Sequence, residues 1–309
     1  MTVTAYSFTV LSLRIASNDN TQIAIAATVT RWYDANARDL AWRRPGASPW
    51  GVLVSEVMLQ QTQVSRVEPA WQTWMERWPT PAHLAADPPG EAIRAWDRLG
   101  YPRRALRLHA CATAIVERHD GEVPDDVEAL LALPGIGTYT ARAVAAFAFR
   151  QRHPVVDTNV RRVVARAVAG EADGGANTTP ADLRAVEVLL PEDEEAAARA
   201  SVAFMELGAV VCTARAPRCE ECPLTAVCAW RLAGSPPPDG PARRSQRYHG
   251  TDRYVRGLLM AVLRASDTPV PAERLDAVWP DADQRHRALA GLLADGLVRR
   301  REETYALPG

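Results

Sequence analysis

From Ile23 to about Trp230, apolar residues recur every three or four positions, and Pro and Gly interrupt the rhythm. This pattern predicts helices over 23–36, 50–64, 66–78, 89–98, 103–119, 125–132, 138–150, 158–169, 180–190 and 194–211. Strict two-residue alternation is nearly absent from this stretch, so the chain reads as all-α. Residues 232–249 are rich in Pro, Gly and Arg, the composition of a linker. The period returns beyond it. Amphipathic helices are expected over Thr251–Ala265, Ala272–Trp279 and Ala282–Asp295, and Leu297–Arg300 with Thr304–Leu307 alternate like a short hairpin. Three helices and a hairpin predict a small winged-helix-like module over 250–309. No internal repeat is present.

Composition narrows the function classes. The chain has 309 residues, 47% of them hydrophobic, enough for one large or two to three modest cores. A net charge of −1 excludes a generic polycation, so any nucleic acid must be held by local basic patches. No run of 18 apolar residues occurs, and no membrane span is expected. The apolar stretch Phe8–Ile15 lacks a charged start and a cleavage site, so it is not read as a signal peptide, and residues 1–22 are expected to form a tail. All 36 basic residues are arginine. Without lysine, no side chain can form a Schiff base. Cys111 falls on an apolar helical face with Leu108, Ala112 and Ile115 and is expected in the core.

Four local patterns carry candidate chemistry. Glu56 lies in the strongly apolar segment Trp50–Val64, with Val52, Leu53, Leu59 and Gln60 at helical neighbour positions and no basic partner among them. A carboxylate in such surroundings is expected to titrate high, as a general acid must near neutral pH. The run Leu133-Pro134-Gly135-Ile136-Gly137 joins two predicted helices as a helix-hairpin-helix, whose glycines let backbone N–H groups approach a phosphate without reading sequence. Asp157 precedes an apolar-periodic helix; it is a good N-cap and, beside Glu56 and the hairpin, a candidate second catalytic carboxylate. Cys212, Cys219, Cys222 and Cys228 are spaced C-x6-C-x2-C-x5-C, which suits zinc or a [4Fe–4S] cluster equally by spacing. No H-x-E triplet occurs, which argues against a zinc deaminase. Basic clusters at Arg94, Arg98, Arg103, Arg104 and Arg107, at Arg161, Arg162 and Arg166, and at Arg243, Arg244 and Arg247 are expected to line a DNA groove, and Arg215 and Arg218 to grip phosphate from the cysteine loop.

Taken in order, the hairpin, the following Asp and the cysteine spacing resemble the endonuclease III superfamily of base-excision DNA glycosylases over roughly residues 28–230. Ser55–Val64, reading SEVMLQQTQV, resembles its adenine-removing MutY branch. The resemblance implies a two-lobed helix-hairpin-helix core over 23–231, with a helical barrel lobe over 45–151, an iron–sulfur lobe formed by 23–44 and 152–231, and a [4Fe–4S] cluster on the four cysteines. It further implies that Glu56 protonates adenine and later activates water, that Asp157 stabilises the cationic sugar, and that Tyr139 and Asn159 support these carboxylates. Arg38, Trp42, Arg43 and Leu59 would line the adenine pocket. Gln61, Thr62, Leu99 and Tyr101 would intrude into the duplex, with Tyr101 as the wedge, while Leu133, Gly135 and Gly137 hold the backbone. Lyase-type relatives place a lysine where this chain has Tyr139, so the enzyme is expected to be monofunctional. The implied partner is double-stranded DNA carrying adenine opposite 8-oxoguanine or guanine, bound by a monomer in the bacterial cytoplasm at the nucleoid.

Two positions depart from the family pattern: Pro102 follows Leu99-Gly100-Tyr101 in place of a second Tyr, and Val202 occupies a position that can contact adenine through Glu or Gln. Residues 251–309 are also too few and too helical for the nucleotide-hydrolase-like domain that reads 8-oxoguanine in many members. The competing readings are a thymine or uracil mismatch glycosylase of the same fold and a non-catalytic iron–sulfur DNA-binding protein.

Overall fold

The computed structural model describes residues 19–238 and 248–309. They divide into two compact units, one formed by residues 19–46 and 138–238, the other by residues 47–137 and 248–309. The expected lobe boundary falls at residue 151, whereas the helix over 138–149 packs with the first unit. The arginine cluster Arg243, Arg244 and Arg247, and residues 1–18 of the expected tail, lie outside the described residues.

The first unit is built on α1 (Asp19–Asn36), α8 (Thr138–Phe149), α9 (Thr158–Val164), α10 (Pro180–Glu187), α11 (Glu194–Val210) and the short α12 (Ala229–Leu232). The helices α1, α9 and α11 share a core of Ile25, Val29, Val160, Val163, Phe204 and Leu207, each at most 7% exposed. The helices α9 and α11 approach closely, because a Cβ on Gly208 would stand 2.7 Å from both Cβ and O of Asn159. The helix expected over 158–169 changes character midway: Ala165–Ala169 forms a π-helical turn, and Gly170 ends it at φ +77.

In the second unit, α2 (Pro49–Leu59), α3 (Val64–Arg77), α4 (Pro81–Ala86), α5 (Pro89–Trp96), α6 (Arg103–Arg118) and α7 (Val127–Leu131) enclose the indoles of Trp74, Trp78 and Trp96. Trp74 meets the other two edge-on, with ring centroids 4.6 and 5.7 Å away. The helix α2 starts where Ser48 accepts the Gly51 N–H and Pro49 occupies the first turn. It stops at Leu59, five residues before the expected end at Val64, because Arg104 takes up the carbonyls of Val57, Met58 and Gln60 and Gln61 turns to φ +56.

The C-terminal residues add α13 (Asp252–Arg264), α14 (Ala272–Asp276), α15 (Ala282–Ala294) and a three-stranded antiparallel sheet in the order β1 (Val270–Pro271), β3 (Thr304–Ala306), β2 (Arg299–Arg301). The expected hairpin is the β2–β3 pair, and β1 adds an edge strand. This module is seated on α5 and α6. The Gly90 N–H donates to the Pro308 carbonyl at 2.7 Å, Arg94 donates to the carbonyls of Arg264 and Ser266, and Arg103 pairs with Asp295 at 3.2 Å. The architecture is all-α, with a small helix-and-sheet module at the C-terminus.

Candidate active site

Each compact unit carries part of the expected constellation. In the first unit, Asp157 caps α9: its Oδ1 accepts the Val160 N–H at 2.7 Å, and its Oδ2 accepts the Asn159 side-chain amide at 2.8 Å. The cap and the candidate catalytic carboxylate are thus one residue, with one oxygen on the backbone and the other on a side chain. Burial pushes the Asp157 carboxyl above its usual range, while the Val160 and Asn159 donors and the Arg162 charge pull the other way.

Arg162 is itself buried. It donates to Asn159 Oδ1 at 2.8 Å, to the Gly208 carbonyl at 2.7 Å and to the Cys212 carbonyl at 2.6 Å. Arg166, one turn on, donates to the Thr213 carbonyl at 2.9 Å and reaches Cys212 Sγ at 3.4 Å, with its guanidinium 4.6 Å from the Trp230 ring. The cluster Arg161, Arg162 and Arg166 is therefore no DNA-facing patch: all three residues are at most 7% exposed. Arg162 ties α9, and Arg166 the π-helical turn that follows it, to the cysteine loop, through carbonyls that helix and loop ends leave unpaired. In that loop Arg218 is occupied as well, donating to the Val210 carbonyl and pairing with Glu221 at 2.7 Å, whereas Arg215 is exposed.

Cys212, Cys219, Cys222 and Cys228 line one pocket together with Arg166 and Trp230. Among the described residues no three His, Cys, Asp or Glu side chains are grouped so as to hold a single metal ion. Four cysteines around one pocket are a donor set that suits an iron–sulfur cluster or a tetrahedral zinc.

Arg38 and Arg43, expected beside adenine, converge on Glu206. Arg38 Nε and Nη2 donate to its two oxygens at 2.6 and 2.8 Å, and Arg43 Nη1 donates at 2.7 Å. The Glu206 side chain has no exposure at all. Burial alone would raise its pKa; the two guanidinia overcome that and hold it at about 2. Trp42, between the two arginines in sequence, is 5% exposed. Tyr139 is half-buried against Ala143, Ala146, Val155 and Ala198.

In the second unit Glu56 is 5% exposed on α2, with Val52, Leu53 and Val57 buried around it and Leu59 half-buried. The four residues expected to enter the duplex divide in two. Gln61 and Tyr101 are exposed and both lie in the left-handed region, at φ +56 and +50. Thr62 and Leu99 turn inward: Thr62 Oγ1 donates to the Leu99 carbonyl at 3.3 Å and accepts from Arg104 at 3.0 Å. Arg104, expected in a surface patch, is 7% exposed, and burial lowers its pKa to about 10, so it stays charged near neutral pH. In the hairpin Gly135 and Gly137 are exposed, whereas Leu133 points into the core. Gly135 sits at φ +80, and a Cβ there would meet Arg107 Cβ at 2.7 Å, so only glycine fits this turn.

Sequence reasoning gave Glu206 no role and placed Arg104, Arg162 and Arg166 in DNA-facing patches, whereas all four are buried. Glu206 carried the signal used for Glu56: a carboxylate amid Val202, Ala203 and Val210 on an apolar helix.

Comparison with known proteins bears on this arrangement. Residues 54–186 match the HhH-GPD superfamily of base excision DNA repair proteins, and residues 212–228 match the iron–sulfur binding domain of endonuclease III. The chain is 60% identical over 280 residues to the adenine DNA glycosylase of Mycobacterium tuberculosis, covering 90% of this chain and 91% of that protein. It is also 60% identical to the adenine DNA glycosylase of Mycolicibacterium smegmatis, covering 90% and 94%. The human adenine DNA glycosylase is 40% identical over 66% of this chain and 39% of its own length. Among solved structures, a thermostable thymine-DNA glycosylase superposes with a TM-score of 0.64 at 25% identity, covering 70% of this chain and all of that one.

Proposed function

We propose that this chain, which belongs to the adenine DNA glycosylases of the helix-hairpin-helix base excision repair superfamily, hydrolyses the N-glycosidic bond of adenine through Glu56 and Asp157. It is a DNA glycosylase that removes adenine, and it carries a [4Fe–4S] cluster on Cys212, Cys219, Cys222 and Cys228. When bound, the cluster supplies iron–thiolate bonds that fix the loop from Cys212 to Cys228.

The chemistry needs an acid and a fixed anion. Glu56 delivers a proton to N7 of the flipped adenine, so that the base leaves neutral, and its carboxylate then takes a proton from the incoming water. As the C1′–N9 bond breaks, the sugar becomes oxocarbenium-like, and Asp157 stabilises that charge. The observation that carries this reading is the double anchoring of Asp157: each oxygen already accepts one hydrogen bond, so the carboxylate is oriented before substrate arrives. Tyr139 and Asn159 support the pair, and Arg38, Trp42, Arg43 and Leu59 bound the base. Because Arg38 and Arg43 are tied to Glu206, their part is to present a rigid wall.

Gly135 and Gly137, exposed in their hairpin, offer backbone N–H groups to a phosphate, while Leu133, whose N–H donates to the Leu130 carbonyl at 3.1 Å, fixes the turn from the core. Gln61 and Tyr101 enter the duplex, with Thr62 and Leu99 as the buried footing beneath them. The substrate is adenine opposite 8-oxoguanine or guanine in double-stranded DNA, engaged by a monomer at the bacterial nucleoid.

The test is single-turnover base release from matched duplexes carrying A opposite 8-oxoguanine, A opposite G, T opposite G, and U opposite G. Adenine release alone is expected; thymine or uracil release would move the chain to the mismatch branch. Asp157→Asn is expected to slow adenine release by at least about 10²-fold while mispair binding persists. A wild-type rate in that variant would remove Asp157 from the mechanism.

A further inference from the structure

We infer that the C-terminal module forms part of the DNA-binding face, with Arg253 contacting a backbone phosphate beside Tyr101. This rests on the reading of Tyr101 as the residue that enters the duplex. The module is anchored to the two helices that flank the loop of Tyr101, α5 and α6: Arg94 holds the carbonyls of Arg264 and Ser266, Gly90 holds that of Pro308, and Asp295 bridges Arg103 and Arg256. A Cβ at Gly90 would collide with the Pro308 carbonyl, so the seat is close-fitting. This seating brings the first turn of α13 to Tyr101. The Arg253 guanidinium lies 4.5 Å from the Tyr101 ring centroid and 5.6 Å from that of Tyr248. Both tyrosines are exposed, at 42% and 53%.

The arginines nearby are not equivalent. Arg256 and Arg103 are spent on Asp295. Arg253 is exposed and, among the described residues, has no carboxylate partner. Its sequence neighbour Asp252 faces elsewhere, accepting from Gln284 at 3.0 Å and pairing with Arg287 at 3.5 Å. A guanidinium stacked on an aromatic ring offers its face to the ring and keeps its in-plane N–H donors for an anion. The stack orients those donors, and bidentate pairing with phosphate is the recognition they suit. Tyr248 continues the aromatic surface: its ring meets Tyr254 edge-on at 5.6 Å, and Tyr254 meets Trp279 at 5.6 Å. A cation between exposed rings, next to the wedge, has the make-up of a nucleic-acid contact. The module thus supplies a positive contact to the duplex where the helical lobe alone presents Tyr101.

The experiment uses the full chain and a duplex carrying A opposite G, with affinity measured across a salt series. In Arg253→Ala the log–log salt slope is expected to become shallower by about one, with binding about tenfold weaker at ~0.05 M salt. Arg253→Lys, which keeps the charge, is expected to retain the slope. Unchanged slope and affinity in Arg253→Ala would overturn the inference. If the alanine variant is destabilised, Arg253→Gln keeps a long polar side chain without the charge, and an unchanged slope there is equally decisive against it. Tyr101→Ala tests the parent reading separately. Loss of base release in Tyr101→Ala with a wild-type slope in Arg253→Ala rejects the module's role alone; wild-type base release in Tyr101→Ala rejects the wedge, whatever Arg253 does.

Discussion

Asp157 is a carboxylate under opposing pulls. Burial raises its pKa, and the Val160 N–H, the Asn159 amide and the Arg162 charge lower it. In the role proposed for it, stabilising a cationic sugar, Asp157 must be ionised, and these donors favour that form toward acid pH. Removing one shifts the balance in a known direction: in Asn159→Ala the Asp157 pKa rises, and the acid limb of the single-turnover pH–rate profile moves to higher pH. An unmoved limb would mean that the amide only packs. Glu206 shows the opposite case, because its two arginines outweigh burial and bring it from 4.5 to about 2. A carboxyl depressed on folding stabilises the native state above its unfolded pKa, and that contribution is lost as pH falls from about 4.5 toward 2. Glu206→Gln leaves two guanidinia without their anion and is expected to cost on the order of 3 kcal/mol near neutral pH. The gap between wild type and variant in chemical denaturation should narrow toward pH 3, whereas a constant gap would point to packing alone.

At the scale of elements, the contact of α9 with α11 sets where Asp157 stands. Gly208 has no room for a methyl group, since a Cβ would lie 2.7 Å from both Cβ and O of Asn159. Gly208→Ala should push the first turn of α9 aside, destabilise the protein by about 1–3 kcal/mol, and lower the base-release rate more than mispair affinity. Equal losses in rate and affinity would argue against a local shift. The helices themselves were legible because the apolar period of 3.6 marks which residues face a core, and α6, α8 and α11 lie within a residue or two of their expected limits. Their ends were less so. The end of α2 at Leu59 depends on Arg104, far along the chain, taking up its final carbonyls, and no local pattern announces a partner supplied by another helix. The helix Pro81–Ala86 lies between prolines that read as a break, yet Pro81 and Pro89 each stand in the first turn of a helix, where a missing N–H costs nothing. Charge was the least legible property. Arg104, Arg161, Arg162 and Arg166 look like surface patches in sequence and are buried; carbonyl acceptors, which carry no sequence signature, take up most donors of Arg104, Arg162 and Arg166, while the Nε atoms of Arg104 and Arg161 have no partner among the described residues. The Asp157 cap was readable from one residue and its position, while the carboxylate that receives Arg38 and Arg43 was not, since it comes from a segment more than 160 residues along the chain.

At the scale of the whole molecule, one absence limits the reaction. Strand scission by a glycosylase-lyase begins with an amine attacking C1′ to give an imine. A guanidinium stays protonated at any working pH and has no free lone pair to offer. Every cationic side chain in this chain apart from histidine is an arginine, so no side-chain amine exists in any fold the chain could adopt. The position that follows the hairpin is occupied by Tyr139, half-buried on α8 against Ala143 and Ala146. Adenine release should therefore leave an intact abasic site. The strand should break only after alkali, and borohydride added during turnover should trap no protein–DNA adduct. Tyr139→Lys puts a lone amine on the first turn of α8. If that turn faces the sugar, the variant should yield a borohydride-trapped adduct and a strand break without alkali. Trapping in the parent chain would have to come from its N-terminal amine and would overturn water as the sole nucleophile; absence of trapping in a folded Tyr139→Lys would place this turn away from C1′.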